Sequence, residues 1–173
     1  MSASPSSLFS FPNPVNDYAA RTVATGVVAL CLAAIAFGQP WLLVPLTYGF
    51  WARLATGPTL SPLGQLATRV IAPRLPVDPK LVPGPPKRFA QGIGVAFSST
   101  AVVLWFGFGL ATATWVVIGL LAAAAFLEAA LALCLGCLTF SLLMRVGVIP
   151  EHVCEACADL SVRHPGLARS TNS

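Results

Sequence analysis

The sequence contains four long runs of apolar residues that are interrupted by very few charges. They cover residues 18–37, 41–55, 89–110 and 115–144. The first run has 20 residues with Arg21 as its only charge, so a helix there is about 30 Å long and crosses the hydrocarbon core of a bilayer. The pattern predicts four transmembrane helices.

Two of the runs depart from the length of an ideal span. The run over 41–55 is short, which predicts that neighbouring helices support it or that Arg53 extends it by reaching the headgroups. The run over 115–144 is about 45 Å long as a helix, against a core of about 30 Å, so it is expected to tilt, kink or protrude. Uncharged turns at Gly38 and at 111–114 join the four helices into two hairpins.

A Pro/Gly-rich connection over residues 57–88 separates the hairpins. Ser61 suits an N-cap with Pro62 in the first turn, and apolar residues then recur at helical spacing to Ile71. This predicts a short amphipathic helix over 61–72 on the membrane surface, while the prolines over 73–86 argue against a helix there. The predicted divisions are an N-terminal segment 1–17, a membrane domain 18–147 and a cysteine-containing tail 148–173.

Composition supports the membrane assignment. Charged residues make up 9% of the chain and its mean hydropathy is +0.79, whereas soluble domains carry about 25% charged residues. The predicted fold class is therefore all-α and polytopic, with the lipid bilayer as its main partner. Although the net charge is +4, no cluster of Lys and Arg with interleaved aromatic residues is present, so nucleic acid is not predicted as a partner.

The distribution of basic residues predicts the orientation. With four spans, all ten Lys and Arg residues fall on one side, and the turns at Gly38 and Thr112 contain none. The positive-inside rule then places both termini and the long connection in the cytoplasm.

The cysteines carry the candidate chemistry, as two C-x-x-C pairs: Cys134 with Cys137, and Cys154 with Cys157. In an unbroken fourth helix the first pair lies on one face, about 60° apart. The second pair lies in the tail, in a reducing compartment where a permanent disulfide is not expected. Thiol redox chemistry, a four-thiolate zinc or iron–sulfur site, and simple packing all remain open.

Three further residues are candidates for lesser roles. Glu128 is a carboxylate within an apolar run, which is costly unless it is protonated or paired, so it is assigned a proton-handling or packing role. Cys31 lies alone in the first span and is interpreted as packing. His152 precedes Cys154 by two residues and is either a solvated loop residue or a modulator of that thiol.

Several motifs occur together: Phe11-Pro-Asn-Pro-Val-Asn-Asp17, Gly57-Pro-Thr-Leu-Ser-Pro-Leu-Gly-Gln-Leu-Ala-Thr-Arg69, Val82-Pro-Gly-Pro-Pro-Lys-Arg-Phe-Ala-Gln91, Cys134-Leu-Gly-Cys137 and Cys154-x-x-Cys157. With them the chain, over roughly residues 11–160, resembles a bacterial, largely actinobacterial, integral membrane family known as domain of unknown function 4395. The resemblance implies a multi-pass protein of the bacterial cytoplasmic membrane. Members are often encoded beside, or fused to, thioredoxin-like or rhodanese-like proteins, which implies a thiol or sulfur-transfer context. No activity is established for the family.

The leading hypothesis is a thiol–disulfide or sulfur-transfer relay. In it, the tail pair Cys154 and Cys157 meets a thioredoxin-like or rhodanese-like partner, and Cys134 and Cys137 pass electrons towards the membrane, with a quinone as a candidate acceptor. The alternative is a non-enzymatic scaffold or small-solute channel whose cysteines are structural or bind zinc or an iron–sulfur cluster. Whether the protein is an enzyme is left open.

Overall fold

The computed structural model describes residues 13–74 and 81–150 of the 173-residue chain. These residues are mostly helical, and the α-helices are α1 Asp17–Phe37, α2 Leu43–Thr56, α3 Pro62–Gln65, α4 Gly84–Val102, α5 Ala111–Leu131 and α6 Leu135–Arg145. Single turns of other helix types extend them, namely 3-10 turns at Pro40–Leu42 and Ala72–Arg74 and π-helices at Leu66–Ile71 and Val103–Gly107. Strands β1 Val15–Asn16 and β2 Leu81–Val82 pair antiparallel.

Three of the helices are long and apolar enough to cross a membrane: Asp17–Phe37, Gly84–Gly107 and Ala111–Leu131. Large apolar side chains such as Leu32, Phe126 and Leu142 are exposed on the surface of the isolated chain, which a lipid environment would cover. These features indicate a membrane protein. Helix α2 has 14 residues, or about 21 Å, so the count of four spans stays a prediction.

The bundle is held together by two main helix pairs, α1 with α5 and α2 with α4, and by the packing of α4 on α5. The buried core includes Cys31, Leu43, Phe50 and Ile118. Gly94 makes the α2–α4 contact close, because a Cβ atom at this position would overlap the ring of Phe50.

The N-terminal segment and the long connection meet at one end of the bundle. Val15 pairs with Val82, and Asn13 Oδ1 accepts a hydrogen bond from the Gly84 N–H at 3.1 Å. Asn16 caps α1, since its side chain accepts from the Tyr18 N–H at 3.0 Å. We call this end of the bundle, where α1 and α4 begin and α2 and α5 end, the polar end.

The predicted helix over 61–72 is present. Ser61 is its N-cap, with Oγ accepting from the Gly64 N–H at 3.2 Å, and the α, π and 3-10 turns follow without interruption to Arg74. The segment packs against α1, where Leu63 covers Gly26. Its position on a membrane surface stays a prediction.

The start of α4 corrects one expectation. The prolines over 73–86 were expected to exclude a helix and the third span to begin at 89, but α4 begins at Gly84. Pro85 and Pro86 occupy its first turn, where a helix needs no backbone N–H donors and the fixed φ of proline is already helical. The early start adds Lys87 to the helix.

The fourth run was expected to tilt, kink or protrude over 115–144 after a turn at 111–114. The structure shows a break within the run, and the turn lies before residue 111. Helix α5 begins at Ala111, after a turn at Phe108–Leu110, and it ends at Leu131. Residues 132–134 are not helical, and α6 begins at Leu135. The excess length of the fourth run is therefore accommodated by a break, and α6 packs mainly on α4.

Candidate functional site: a dithiol beside a buried charge cluster

The break between α5 and α6 positions Cys134 and Cys137. Ala132 adopts the left-handed conformation with φ 56°, which turns the chain away from the axis of α5. Cys134 is extended, with φ −84° and ψ 102°, and it is the N-cap of α6. Its Sγ accepts a hydrogen bond from the Cys137 N–H at 3.4 Å, so the C-x-x-C motif forms the first turn of a helix.

Gly136, inside this motif, allows α6 to pack closely on α4. A Cβ atom there would lie 2.5 Å from the Cβ of Ala90 and 2.6 Å from its Cα, which is too close for any other residue. Near the same contact, the rings of Phe89 and Phe140 meet edge to face with centroids 5.7 Å apart. The sequence Cys-Leu-Gly-Cys thus combines two thiols with the small residue that holds them against α4.

The surroundings of Cys134 lower the pKa of its thiol below the ordinary value. Cys134 lies beyond the end of α5, and a hydrogen bond from the Cys137 side chain is the main cause that lowers its pKa. The positive charge of Lys87 and the Cys137 backbone N–H act in the same direction, while burial and the charge of Glu128 oppose them. Cys134 is 7% exposed, Cys137 is partly buried, and both are free thiols.

This geometry corrects the expectation that the two thiols share one face of a continuous helix. They are instead the N-cap and the third residue of a new helix, and the pair is held together by capping rather than by helical periodicity. A helix N-terminus also stabilises negative charge, which an interior helical position does not.

Beside the dithiol lies a buried cluster of charges. Lys87 Nζ contacts Glu128 Oε1 at 2.7 Å and Asp17 Oδ1 at 3.2 Å. The three side chains are 9%, 18% and 8% exposed, respectively. One ammonium group therefore joins the starts of α1 and α4 to the end of α5.

Glu128 was predicted to be protonated or paired, and it is paired with a cation. The partner was not foreseen, because Lys87 was assigned to the connection rather than to a helix. A role for Glu128 in the chemistry of the thiols stays a prediction.

Two arginines complete the polar end. Arg21 Nε and Nη2 donate to the Ala129 carbonyl at 3.1 and 3.0 Å, in the last turn of α5, where carbonyl groups lack helical partners. Of the two expectations for the short second run, support by neighbouring helices fits the structure, since α2 packs on α4. Arg53 does not reach outward to headgroups, because it is only 4% exposed. Its Nε donates to Gln91 Oε1 at 2.9 Å and its Nη1 to Ser61 Oγ at 3.1 Å.

Of the other candidate residues named from the sequence, the structure describes Cys31. Cys31 is fully buried in α1. Cys154, Cys157 and His152 lie outside the described residues. Within 13–74 and 81–150 no group of three or more His, Cys, Asp or Glu side chains could hold a metal ion. The zinc or iron–sulfur site that uses the tail pair stays a prediction.

Fold and site together define a helical membrane protein whose polar end carries a dithiol next to a buried ion cluster. The chain belongs to the family described as Domain of unknown function (DUF4395), whose sequence profile matches residues 15–145. The family resemblance seen in the motifs is thereby confirmed. No curated protein and no solved structure matches the chain.

Proposed function

We propose that this protein carries out thiol–disulfide exchange at one face of the bacterial cytoplasmic membrane through Cys134 and Cys137. The observation that carries the proposal is the capping geometry: Cys134 starts α6, and its sulfur accepts the N–H of Cys137. A cysteine at a helix N-terminus near a cation has a lowered pKa, and the thiolate is the nucleophile in exchange.

The proposed reaction transfers two electrons between two dithiol/disulfide couples, the Cys134–Cys137 pair and a partner. The Cys134 thiolate attacks one sulfur of a partner disulfide, and the partner's other sulfur leaves as a thiolate and takes up a proton. Cys137 then loses its proton to solvent and attacks Cys134, which releases the second partner thiol and leaves a Cys134–Cys137 disulfide. Two electrons pass to the partner, and the reverse sequence reduces the pair again.

Burial limits which partners reach the pair. Because Cys134 is 7% exposed, attack on a protein disulfide requires the first turn of α6 to separate from α4. The proposed soluble partner is a thioredoxin-like or rhodanese-like protein that exchanges first with Cys154 and Cys157. In the reverse direction a partner dithiol reduces the Cys134–Cys137 disulfide. The reduced pair then passes two electrons and two protons to a membrane quinone, the proposed acceptor, which becomes a quinol as the disulfide forms again.

The proposed topology places the polar end in the cytoplasm. Arg53, Arg69 and Lys87 lie with the N-terminal segment and the long connection, and pairing of β1 with β2 keeps those two segments at the same end. A concentration of basic residues at one end supports a cytoplasmic assignment. The thiols then sit in a reducing compartment, where a reversible dithiol is useful and a permanent disulfide is not.

A redox titration of the purified full-length protein tests the proposal. The protein is equilibrated in glutathione buffers of increasing potential, and free thiols are trapped and counted by mass spectrometry. We expect Cys134 and Cys137 to be oxidised together in one two-electron step at about −180 to −320 mV, the range of cellular dithiols. Cys31→Ser should leave this step unchanged, and Cys137→Ser should abolish it.

Failure of the pair to oxidise anywhere in this range would contradict the proposal. Cys134 would then serve only as the N-cap of α6. In that case Cys134→Ser, which replaces the sulfur acceptor of the Cys137 N–H by a hydroxyl oxygen, should preserve the stability of the protein.

A further inference from the structure

The polar end also contains a cavity that is separate from the dithiol. It has a volume of about 170 Å³. Apolar groups form most of its wall, and the polar side chains that line it include those of Arg53, Lys87 and Gln91. At about 30 Å³ per water molecule, the space holds five or six waters or one small organic ion.

Arg53 is the side chain that gives this cavity a chemical preference. Its guanidinium uses Nε for Gln91 and Nη1 for Ser61, and it rests on the ring of Phe50 at 4.6 Å. Its Nη2 is fully buried and has no hydrogen-bond partner within residues 13–74 and 81–150. A buried donor on a charged group without an acceptor is costly, so an acceptor is expected beside it.

The charges around Arg53 point to an anion rather than a neutral acceptor. In the described part of the chain the salt bridges of Asp17 and Glu128 are both made to Lys87, and no carboxylate lies within salt-bridge distance of Arg53. Its contacts to Gln91 and Ser61 are to neutral groups. Glu128 attracts Arg53 electrostatically but makes no salt bridge to it, so the hydrogen bond of Nη2 is available for an oxyanion.

We propose that this cavity binds a small oxyanion, a carboxylate or a phosphate group. An oxygen of the anion accepts from the Arg53 guanidinium, whose Nη2 turns towards the cavity on binding, and the remaining atoms contact the apolar wall. The oxyanion is either a free metabolite-sized anion or the headgroup phosphate of an anionic lipid that enters from the bilayer. This site shares Lys87 with the surroundings of Cys134, but its test uses Arg53 and Ala20, so either proposal can fail without the other.

Thermal unfolding of the full-length protein, followed by tryptophan fluorescence, tests the site. Phosphate, sulfate and butyrate are titrated at constant ionic strength, with chloride as the background anion. In parallel, the protein is placed in nanodiscs of phosphatidylcholine with or without phosphatidylglycerol. We expect stabilisation that saturates with an oxyanion, because a ligand that binds only the folded state raises its melting temperature.

Variants distinguish the cavity from general charge effects. Arg53→Gln removes the guanidinium donor. Ala20→Leu fills the cavity and keeps the guanidinium, so this second variant still tests the site if Arg53→Gln does not fold. Each should weaken the response at least about tenfold, the loss expected for a charge-assisted hydrogen bond. Arg69→Gln is the matched control, since Arg69 is exposed and does not line the cavity.

Each outcome decides the proposal. Saturation by free oxyanions alone identifies a soluble ligand, and a response to phosphatidylglycerol alone identifies a lipid headgroup. The proposal is overturned if neither stabilises the wild type, or if Ala20→Leu and Arg53→Gln respond as Arg69→Gln does.

Discussion

Replacing Lys87 by methionine should destabilise the protein severely. Lys87 is the shared partner of Glu128 and Asp17, and all three side chains are at least four-fifths buried. Removing one partner of a buried ion pair costs about 3 to 5 kcal/mol because it leaves an uncompensated charge. Glu128 is the most exposed of the three, at 18%, so we expect a loss near the lower limit, about 3 kcal/mol.

The assay is thermal unfolding in detergent, where a loss of about 3 kcal/mol corresponds to a fall in melting temperature of about 6 to 12 °C for a chain of this size. Arg88→Met is the matched control, because Arg88 is the next residue on α4 and is exposed. The triple variant Lys87→Met with Asp17→Asn and Glu128→Gln should recover most of the loss, since no buried charge remains. The reasoning is refuted if Lys87→Met and Arg88→Met unfold at the same temperature.

Four further predictions follow from individual residues. Gly94→Ala should destabilise the protein by about 1 to 3 kcal/mol, because the added methyl group overlaps Phe50, whereas Gly119→Ala, at an open position in α5, should not. Equal melting temperatures of the two variants would contradict the close contact at Gly94. Ala132→Gly should stabilise by about 0.5 to 1 kcal/mol because φ is 56° there, and a lower melting temperature would argue against the left-handed turn. Alkylation of Cys134 by a small reagent at neutral pH should be slower in Lys87→Met, since loss of the cation raises the pKa of Cys134 and reduces its thiolate fraction. The rate in Arg88→Met is the reference, and equal rates in the two variants would show that Lys87 does not act on the Cys134 thiol. Reporter fusions at residue 78 and at the C-terminus should register cytoplasmic and a fusion at Gly38 external, whereas an external residue 78 would reverse the topology.

Much of the helical framework could be predicted, because long apolar runs and capping residues are local signals. Ser61 at the start of the surface segment is an example, and its capping role is present in the structure. The break at 132–134 could not be located in this way. Neither an alanine in the left-handed conformation nor a cysteine as N-cap is a usual sequence signal for a helix boundary. Only the excess length of the run over 115–144 indicated that it was not a simple membrane span.

The buried charge cluster was missed for a different reason. Lys87 and Glu128 are 41 residues apart, so their contact depends on how α4 and α5 pack. The signal that could have suggested it is the tolerance of proline in a first helical turn, which extends α4 back to Gly84 and places Lys87 on the helix. Burial of Arg53 likewise follows from the packing of α2 and not from its position near the end of an apolar run.

The central claim, that Cys134 and Cys137 form a reversible dithiol, is tested most directly in cells. Cells producing the full-length protein are quenched in acid before and after brief exposure to a thiol oxidant, free thiols are alkylated, and the cysteine peptides are mapped by mass spectrometry. The account predicts a disulfide-linked peptide that joins Cys134 to Cys137, appears on oxidation and disappears during recovery, while Cys31 remains reduced. Persistence of Cys134 and Cys137 as free thiols throughout the challenge would contradict it.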